Sequence, residues 1–408
     1  MNGKQHSAAA AVSVNRTAMR FVLLIGILSF FSDCTHEAAR SILGPYLSSL
    51  HATAFIVGVV TGFGELLGYA IRFVSGKVAD ATGRFWPITI CGYCLQMAAI
   101  PALALTDTWQ QAAVCIVLER VGRAIRNPPR DVMLSHAAKH IGGYGWTFGI
   151  HEACDQLGAL TGPLVVAAVL AHHGSYRYAF AVLLVPALLN LLFVFTARLL
   201  YPSPQDMEPE QRQHQDGAAL PRTFWVYLAG AGLVAVGFAD YPLLAYHFVQ
   251  THSVPENMIP VFYAVAMAVS GSSSLLFGRM FDRHGFKVLI VLTAIASLFA
   301  PLVFLGGFVA ALLGAAVWGM GMGVHESIIP AAVAPMVPSQ RRATAFGLFT
   351  AGYGICWFAG SAVIGLLYDV SLPMTIGFCL LTQLLALPFF LQVKKMQTSG
   401  AGRSAEQA

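Results

Sequence analysis

The sequence predicts an all-α membrane protein: twelve transmembrane helices arranged as two pseudo-symmetric six-helix bundles. Three observations predict it. The 408 residues are 57% hydrophobic and only 11% charged, against the ~25% charged content usual for soluble domains. Apolar runs able to cross a hydrocarbon core, which takes about 20 residues, recur along the whole chain. A short polar string also occurs twice, as Gly76–Arg84 and again as Gly278–Lys287. A repeat of that long period means two related halves rather than a solenoid, and two hydrophobic halves of this size are a transporter architecture.

The apolar runs fall at roughly 21–47, 55–78, 86–106, 110–137, 143–171, 176–199, 222–250, 257–280, 286–305, 308–333, 341–369 and 372–393. Residues 1–20 form a polar, basic N-terminal tail. The run after Arg20 is long and carries no Ala-x-Ala cleavage pattern, so it reads as a retained first span. Six runs give a bundle over 21–199 and six give one over 222–393. Between them, 200–221 is rich in Pro, Gln, Asp and Glu, including Pro202, Pro204, Pro209 and Pro221, as a solvated linker is. Residues 394–408 are a C-terminal tail.

Cations set the orientation. Arg16, Arg20, Lys77, Arg84, Lys139, Arg198, Arg212, Arg222, Arg279, Arg283, Lys287, Arg341, Arg342, Lys394 and Lys395 fall on one side, and Arg177 on the other. Both termini and the linker are therefore expected in the cytoplasm, and the protein in the bacterial inner membrane. The net charge of +5 is spread over short loops, which excludes a nucleic-acid surface. The seven cysteines lie in apolar segments and are odd in number, so they read as reduced core residues. Cys91-x-x-Cys94 has no second pair and reads as structural burial, not zinc or redox chemistry.

Both copies of the polar string read Gly-[Lys/Arg]-x-x-Asp-x-x-Gly. A tight turn between helices needs glycine where φ is positive. A lone carboxylate suits the orphan N–H groups at a helix start. The first copy resembles the loop 2–3 signature of the major facilitator superfamily, Gly-x-Leu-Ala-Asp-Arg-x-Gly-Arg-[Lys/Arg]. Gly76, Asp80, Gly83 and Arg84 match; Val78, Ala81 and Phe85 depart; the second copy regains Arg283 and Lys287. The resemblance implies the superfamily's fold, alternating access through a midplane cavity, and a conformational hinge at Gly76, Asp80, Gly83, Arg84, Gly278, Asp282 and Gly285.

A second repeat sets Phe148–Gly149 and Gly162 against Phe346–Gly347 and Gly360 at one constant offset. Gly158-x-x-x-Gly162–Pro163 is similar to the segment-five signature of drug/proton antiporters, but Val166 and Ala167 stand near its closing glycines. A small-residue packing face with a proline kink is the favoured reading.

Charges at bilayer depth cost on the order of 2.5–3.5 kcal/mol each and mark function. Asp33, Glu37 and Arg40 share one face of segment one, with His36 beside them. Segment four carries Glu119, Arg120, Arg123, Arg126, Arg130 and Asp131, and Pro128–Pro129 should break or kink it. The arginines need Asp33 and Glu37, or an anionic solute, as partners; Arg130–Asp131 could instead snorkel to the surface. The string Gly122–Asp131 resembles a bacterial subgroup of the superfamily with a Gly-x-Gly-Ile-Arg-x-x-Pro-Arg-Asp signature, with Ala124 in place of its second glycine. In segment five His151 and Asp155 can pair, with Glu152 adjacent, as a proton relay does. Glu65 and Arg72, and Asp240 and His247, are seven apart on their helices. His325–Glu326 follow Gly319-x-Gly321-x-Gly323, a closely packed or flexible stretch that lacks the strand of a nucleotide fingerprint.

The expectation is a monomeric secondary active transporter in the lipid bilayer. It moves a small polar or anionic solute with protons. The candidate substrate and coupling residues are Asp33, Glu37, Arg40, Arg123, Arg126, Arg130, His151, Glu152, Asp155, Asp240, His325 and Glu326. The alternatives are drug efflux, transport of a metal ion or a chelate such as a siderophore (suggested by His36, His151, His247 and His325), and a sensor on a transporter scaffold. No cofactor, metal site or catalytic residue is expected, since nucleophile-elbow, P-loop and His-Glu-x-x-His patterns are missing. Reporter fusions at Gln215 and at the C-terminus should both give a cytoplasmic signal; a periplasmic signal at either overturns the orientation.

Overall fold

The computed structural model describes residues 2–138, 144–203, 220–329, 332–333, 336–337 and 342–406. Lys139, His140, Arg212, Arg341 and most of the linker lie outside the described residues, as do the side chains of Asp80, Phe148 and Asp282. The first six long helices are α1 (Asn2–Ser49), α2 (Ala54–Thr82), α3 (Phe85–Ala102), α4 (Trp109–Ala138), α5 (Tyr144–His173) and α6 (Tyr176–Leu200). The other six are α7 (Arg222–Gln250), α8 (Ile259–His284), α9 (Phe286–Leu305), α10 (Phe308–Gly323), α11 (Arg342–Val370) and α12 (Leu372–Glu406). No strand occurs among the described residues. Eleven described helices are long and apolar enough to cross a membrane. The helix outside that set is α4, because its own sequence is loaded with Glu119, Arg120, Arg123, Arg126 and Arg130.

By contact the chain divides into two compact units: Met1–Ala39 with Ala70–Arg212, and Arg40–Tyr69 with Gln213–Ala408. In the first, Phe21, Val22 and Leu28 of α1 form a core with Trp86 and Tyr93 of α3, Met133 and Leu134 of α4 and Val194 of α6. Without a hydrophobic drive between helices in lipid, close backbone approach supplies the packing. A Cβ on Gly122 of α4 would sit 2.6 Å from the backbone nitrogen of Gln96, and one on Gly162 of α5 would sit 2.1 Å from the carbonyl oxygen of Cys34 in α1. In the second unit Gly360 of α11 meets α7 the same way, 2.3 Å from the Val236 carbonyl oxygen. The repeated glycine is therefore one helix contact made twice. The Gly319-x-Gly321-x-Gly323 run is likewise a packing face: Cβ atoms there would meet Ala266, Phe238 and Ser270 at 2.1, 2.7 and 2.6 Å.

Four expectations need correction. The polar string is mostly helix: α2 runs to Thr82 and α8 to His284, so the turns reduce to Gly83–Arg84 and Gly285. Those closing glycines have φ of 63° and 58°, the left-handed region that favours glycine. Pro128–Pro129 do not end α4, which continues to Ala138. Pro129 has no N–H for the Ile125 carbonyl, and the Ser75 hydroxyl donates to that oxygen instead at 2.6 Å. Segment seven is not one rod. It stops at Val236 and restarts at Tyr241, with Asp240 accepting from the Tyr241 N–H at 3.0 Å as N-cap. Gln383 Nε2 and Trp318 Nε1 donate to the freed carbonyls of Gly237 and Ala239, at 3.2 and 2.8 Å. Finally, Cys91 is exposed and Cys94 half-buried, so that pair is not core; all seven cysteines are free thiols.

Glycine contacts separate two kinds of substitution. Gly122→Ala should lower the thermal midpoint in detergent, as overpacking costs about 1–3 kcal/mol. Gly278→Ala, whose Cβ meets nothing within 4 Å, should leave it unchanged or raise it through helix propensity. Equal midpoints for both variants would count against glycine-mediated packing of α3 on α4.

Candidate functional site

The first unit holds a polar network inside its helices. On α1, Ser29, Ser32, Asp33, His36 and Glu37 are buried and cover one side of the helix within two turns. On α4, Glu119, Arg120, Arg126 and Arg130 are buried, and Arg123 keeps 22% of its side chain exposed. Tyr93 and Gln96 of α3 and His151 of α5 complete it.

Arg126, 1% exposed, is met at each nitrogen. Its Nε donates to Gln96 Oε1 at 2.6 Å, Nη1 to the Tyr93 hydroxyl at 3.2 Å and Nη2 to the Ser32 hydroxyl at 2.8 Å. The guanidinium lies 4.6 Å from the Tyr93 ring centroid, a cation–π contact. Asp33 supplies the counter-charge, its Oδ1 3.7 Å from Arg126 Nη2 and its Oδ2 3.9 Å from Arg123 Nη2. The acid facing these arginines is thus Asp33. Glu37 Oε1 lies 3.7 Å from His36 Nε2.

From Gln96 the network continues outward along α1 and α4. Gln96 Nε2 donates to Glu119 Oε1 at 3.0 Å, and His36 Nδ1 lies 2.8 Å from the same oxygen. Arg120 Nε stands 3.5 Å from Glu119 Oε2 and Arg120 Nη1 3.4 Å from His36 Nε2. In the other direction, Arg130 binds Asp131 at 2.8 Å and donates to Ser29 at 3.4 Å. Ser29 shares a 2.6 Å hydrogen bond with His151 Nε2, and His151 Nδ1 lies 3.3 Å from Asp155 Oδ2. Asp155 Oδ1 is buried with no hydrogen bond. Arg130 is buried, so it does not snorkel.

The remaining candidates lie elsewhere. Arg40 pairs with Asp240, Nη2 to Oδ1 at 2.6 Å, within the second unit. His247 does not meet Asp240; it shares a 2.7 Å hydrogen bond with the Tyr368 hydroxyl. Glu152 is exposed and accepts from Gln156 at 3.0 Å. Glu326 is exposed, and His325 sits among aromatic rings of the second unit. Of the hinge residues, Gly76 packs on Pro128 at 3.6 Å, while Gly278 and Gly285 have open space. Gly83 and Arg84 line an open cavity of 430 Å³ with Phe85, Trp86, Pro87 and Arg198.

Charge alone missed the uncharged members: Ser29, Ser32, Tyr93 and Gln96. Two signals pointed to them. Ser29 stands four residues before Asp33 on the same helical face. Gln96 is an amide inside an otherwise apolar run, and a polar group at that depth requires a partner.

The Arg40–Asp240 pair offers a direct test. Removing one member of a buried ion pair costs roughly 3–5 kcal/mol, because the other charge is stranded. Arg40→Gln should lower the thermal midpoint. Arg40→Gln with Asp240→Asn should recover part of it, since asparagine keeps the N-cap of the second α7 piece. A double variant as unstable as the sum of the singles would show that the two charges are not coupled.

The profile of the Major Facilitator Superfamily matches residues 25–361 and again 241–407. An uncharacterized protein of Mycobacterium tuberculosis is 38% identical over 384 residues, 93% of this chain and 94% of its own. The Fosmidomycin resistance protein of Escherichia coli is 22% identical over 69% of this chain and 70% of its own. The nucleoside transporter NupG superposes with a TM-score of 0.69 at 16% identity, covering 93% of this chain and 98% of that one. This integral membrane protein belongs to the Major Facilitator Superfamily, a family of transporters.

Proposed function

We propose that the protein is a proton-coupled secondary transporter of a small polar or anionic solute. One observation carries the reading: a connected network of buried charges and hydrogen bonds runs between α1, α3, α4 and α5 inside an apolar bundle. Stability alone does not call for it, since buried ion pairs are often replaceable by apolar packing. Intramembrane charges of this kind mark solute and proton paths.

Roles divide by exposure. Arg126 is saturated by protein partners and acts as a positioning residue for Asp33. Arg123 is the more exposed cation, with 22% of its side chain accessible, and suits a solute's negative or polar end. His151 and Asp155, joined to Arg130 through Ser29, form the proton path; the Asp155 oxygen lacking a hydrogen bond is its open end. The bundles 21–199 and 222–393, cytoplasmic termini, an inner-membrane location, a monomeric state and the hinge role of Asp80 and Asp282 belong to the same proposal. So does the subgroup signature over Gly122–Asp131. A drug-efflux direction is favoured by one observation, the resistance named for the Escherichia coli relative.

A thermal-shift screen of the purified protein against metabolites and drugs should yield a stabilising solute, because binding to the folded state alone raises the midpoint. That solute should move into proteoliposomes faster with a pH gradient than without. Arg123→Gln should abolish most of this flux at an unchanged midpoint, while Arg126→Gln should lower the midpoint itself. Flux indifferent to the gradient removes proton coupling, and full flux in Arg123→Gln removes the assigned solute contact.

A further inference from the structure

We propose that the second unit carries a separate subsite, built from His325, Tyr353 and Trp357 beside Phe238, for an uncharged planar group bearing a hydrogen-bond acceptor. It rests on the transport reading only in taking the occupant to be part of the solute.

The backbone is irregular where this cluster forms. After the Gly319-x-Gly321-x-Gly323 face, α10 passes into a π-helical segment, Val324–Ile328, which carries His325. Such segments are rare and concentrate at functional sites. The interruption of α7 after Val236 delivers Phe238 to the same place. Tyr353 and Trp357 are four apart on α11 and share a face. The Phe238 and His325 ring centroids are 4.2 Å apart, Trp357 stands edge-on to His325 at 5.5 Å, and the Tyr353 hydroxyl hydrogen-bonds His325 Nδ1.

Two buried nitrogens in this cluster have no hydrogen bond: His325 Nε2 and Trp357 Nε1, on residues 5% and 4% exposed. The surrounding rings do not share that condition. Trp318 Nε1 donates to Ala239, the Tyr227 hydroxyl to Ile329 and the Tyr241 hydroxyl to Ile259, at 2.8, 2.6 and 2.8 Å. These three aromatic side chains satisfy their polar atoms, whereas His325 Nε2 and Trp357 Nε1 stay open. A buried donor left without its hydrogen bond is costly, and a bound acceptor would supply the missing partner.

The indole N–H is a donor only, so the occupant must present an acceptor. When the Tyr353 hydroxyl donates to Nδ1, His325 Nε2 carries the proton and becomes the matching second donor. The rings packed against His325 and Trp357 are the uncharged Phe238 and Tyr353, and the charge next to His325 in the chain is an acid, Glu326. A carboxylate would therefore lose its water here without a counter-charge, whereas a carbonyl, an amide or a ring nitrogen would not. The flat faces of Phe238, Tyr353 and Trp357 favour a planar partner. The repeat adds a placement argument. Gly122 packs on Gln96 and Gly92 of the preceding helix, Gly321 packs on Phe238 and Ala296, and four residues later stand Arg126 and His325. His325 thus stands, like Arg126, four residues past a packed glycine.

Coumarin, a neutral bicyclic lactone, is a suitable probe, with naphthalene as the analogue lacking an acceptor and 2-naphthoate as the charged one. Calorimetric titration of the full-length protein in detergent should show coumarin binding more tightly than either. Trp357→Phe keeps a ring and removes the N–H; it should weaken coumarin about three- to tenfold and leave naphthalene unchanged. Naphthalene or 2-naphthoate binding as well as coumarin to the wild type, no coumarin binding at all, or coumarin affinity indifferent to Trp357→Phe would each overturn the subsite. The wild-type comparison decides the matter if the variant does not fold. The charged-network reading is tested separately, by flux in proteoliposomes, so its failure would leave the coumarin comparison intact.

Discussion

A guanidinium placed inside an apolar bundle must have all its N–H groups met by protein, and Arg126 is where that constraint shapes this molecule. Its side chain recruits a residue from each of two neighbouring helices for its direct bonds, Ser32 on α1 and Gln96 with Tyr93 on α3. Each recruited group has a second obligation. Gln96 uses its oxygen on Arg126 and its amide hydrogens on Glu119, which then holds His36. The side chains are therefore ordered by hydrogen-bond bookkeeping, and the helices that carry them by the near-contact of Gly92 and Gly122. Bulk at either glycine would move α3 off α4 and pull the amide away from the arginine.

The same constraint governs the backbone. Lipid offers no hydrogen bonds, so an irregular helix survives only where side chains replace the lost partners. α4 carries two consecutive prolines without breaking because Ser75 of α2 supplies a donor to Ile125. α7 breaks because Asp240 and Pro242 start a new helix at Tyr241, and Gln383 and Trp318 take up the carbonyls left behind. Asp369, at the end of α11, accepts from the N–H groups of Ala54 and Phe55 at 3.0 and 2.9 Å, and so caps the start of α2. In each case a polar side chain in an apolar helix answers a specific backbone defect.

This explains which parts were legible in the sequence. Apolar runs and charges in them are local signals, and they sufficed for the helices, the doubled polar string and the residues Asp33, Arg126, His151 and Asp155. The α7 break was also written locally, as Asp240–Tyr241–Pro242 after Gly237, an N-cap and an early proline. Reading a continuous apolar span over it hid that signal. What local reading does not supply is the partner. Arg40 bonds Asp240, two hundred positions later, a partner that no local pattern announces. Arg126 looked equally suited to Glu37 and Asp33, and only the rotation of α1 against α4 decides for Asp33. Ser75 and Gln383 carry no charge, and their importance comes from carbonyls on other helices.

The two units meet this constraint with different chemistry at corresponding positions. In the first, the residue four past the packed glycine of α4 is an arginine, and its surroundings are serines, an amide and a carboxylate. In the second, the residue four past the packed glycine of α10 is His325, and its surroundings are Phe238, Tyr353 and Trp357. The glycines themselves meet different neighbours: Gly122 lies against the backbone of Gln96 and Gly92, Gly321 against the Phe238 ring and Ala296. The glycines answer to packing, which both units need equally. Arg126 and His325 differ in what meets them: hydroxyls, an amide and a carboxylate surround the one, and aromatic rings the other.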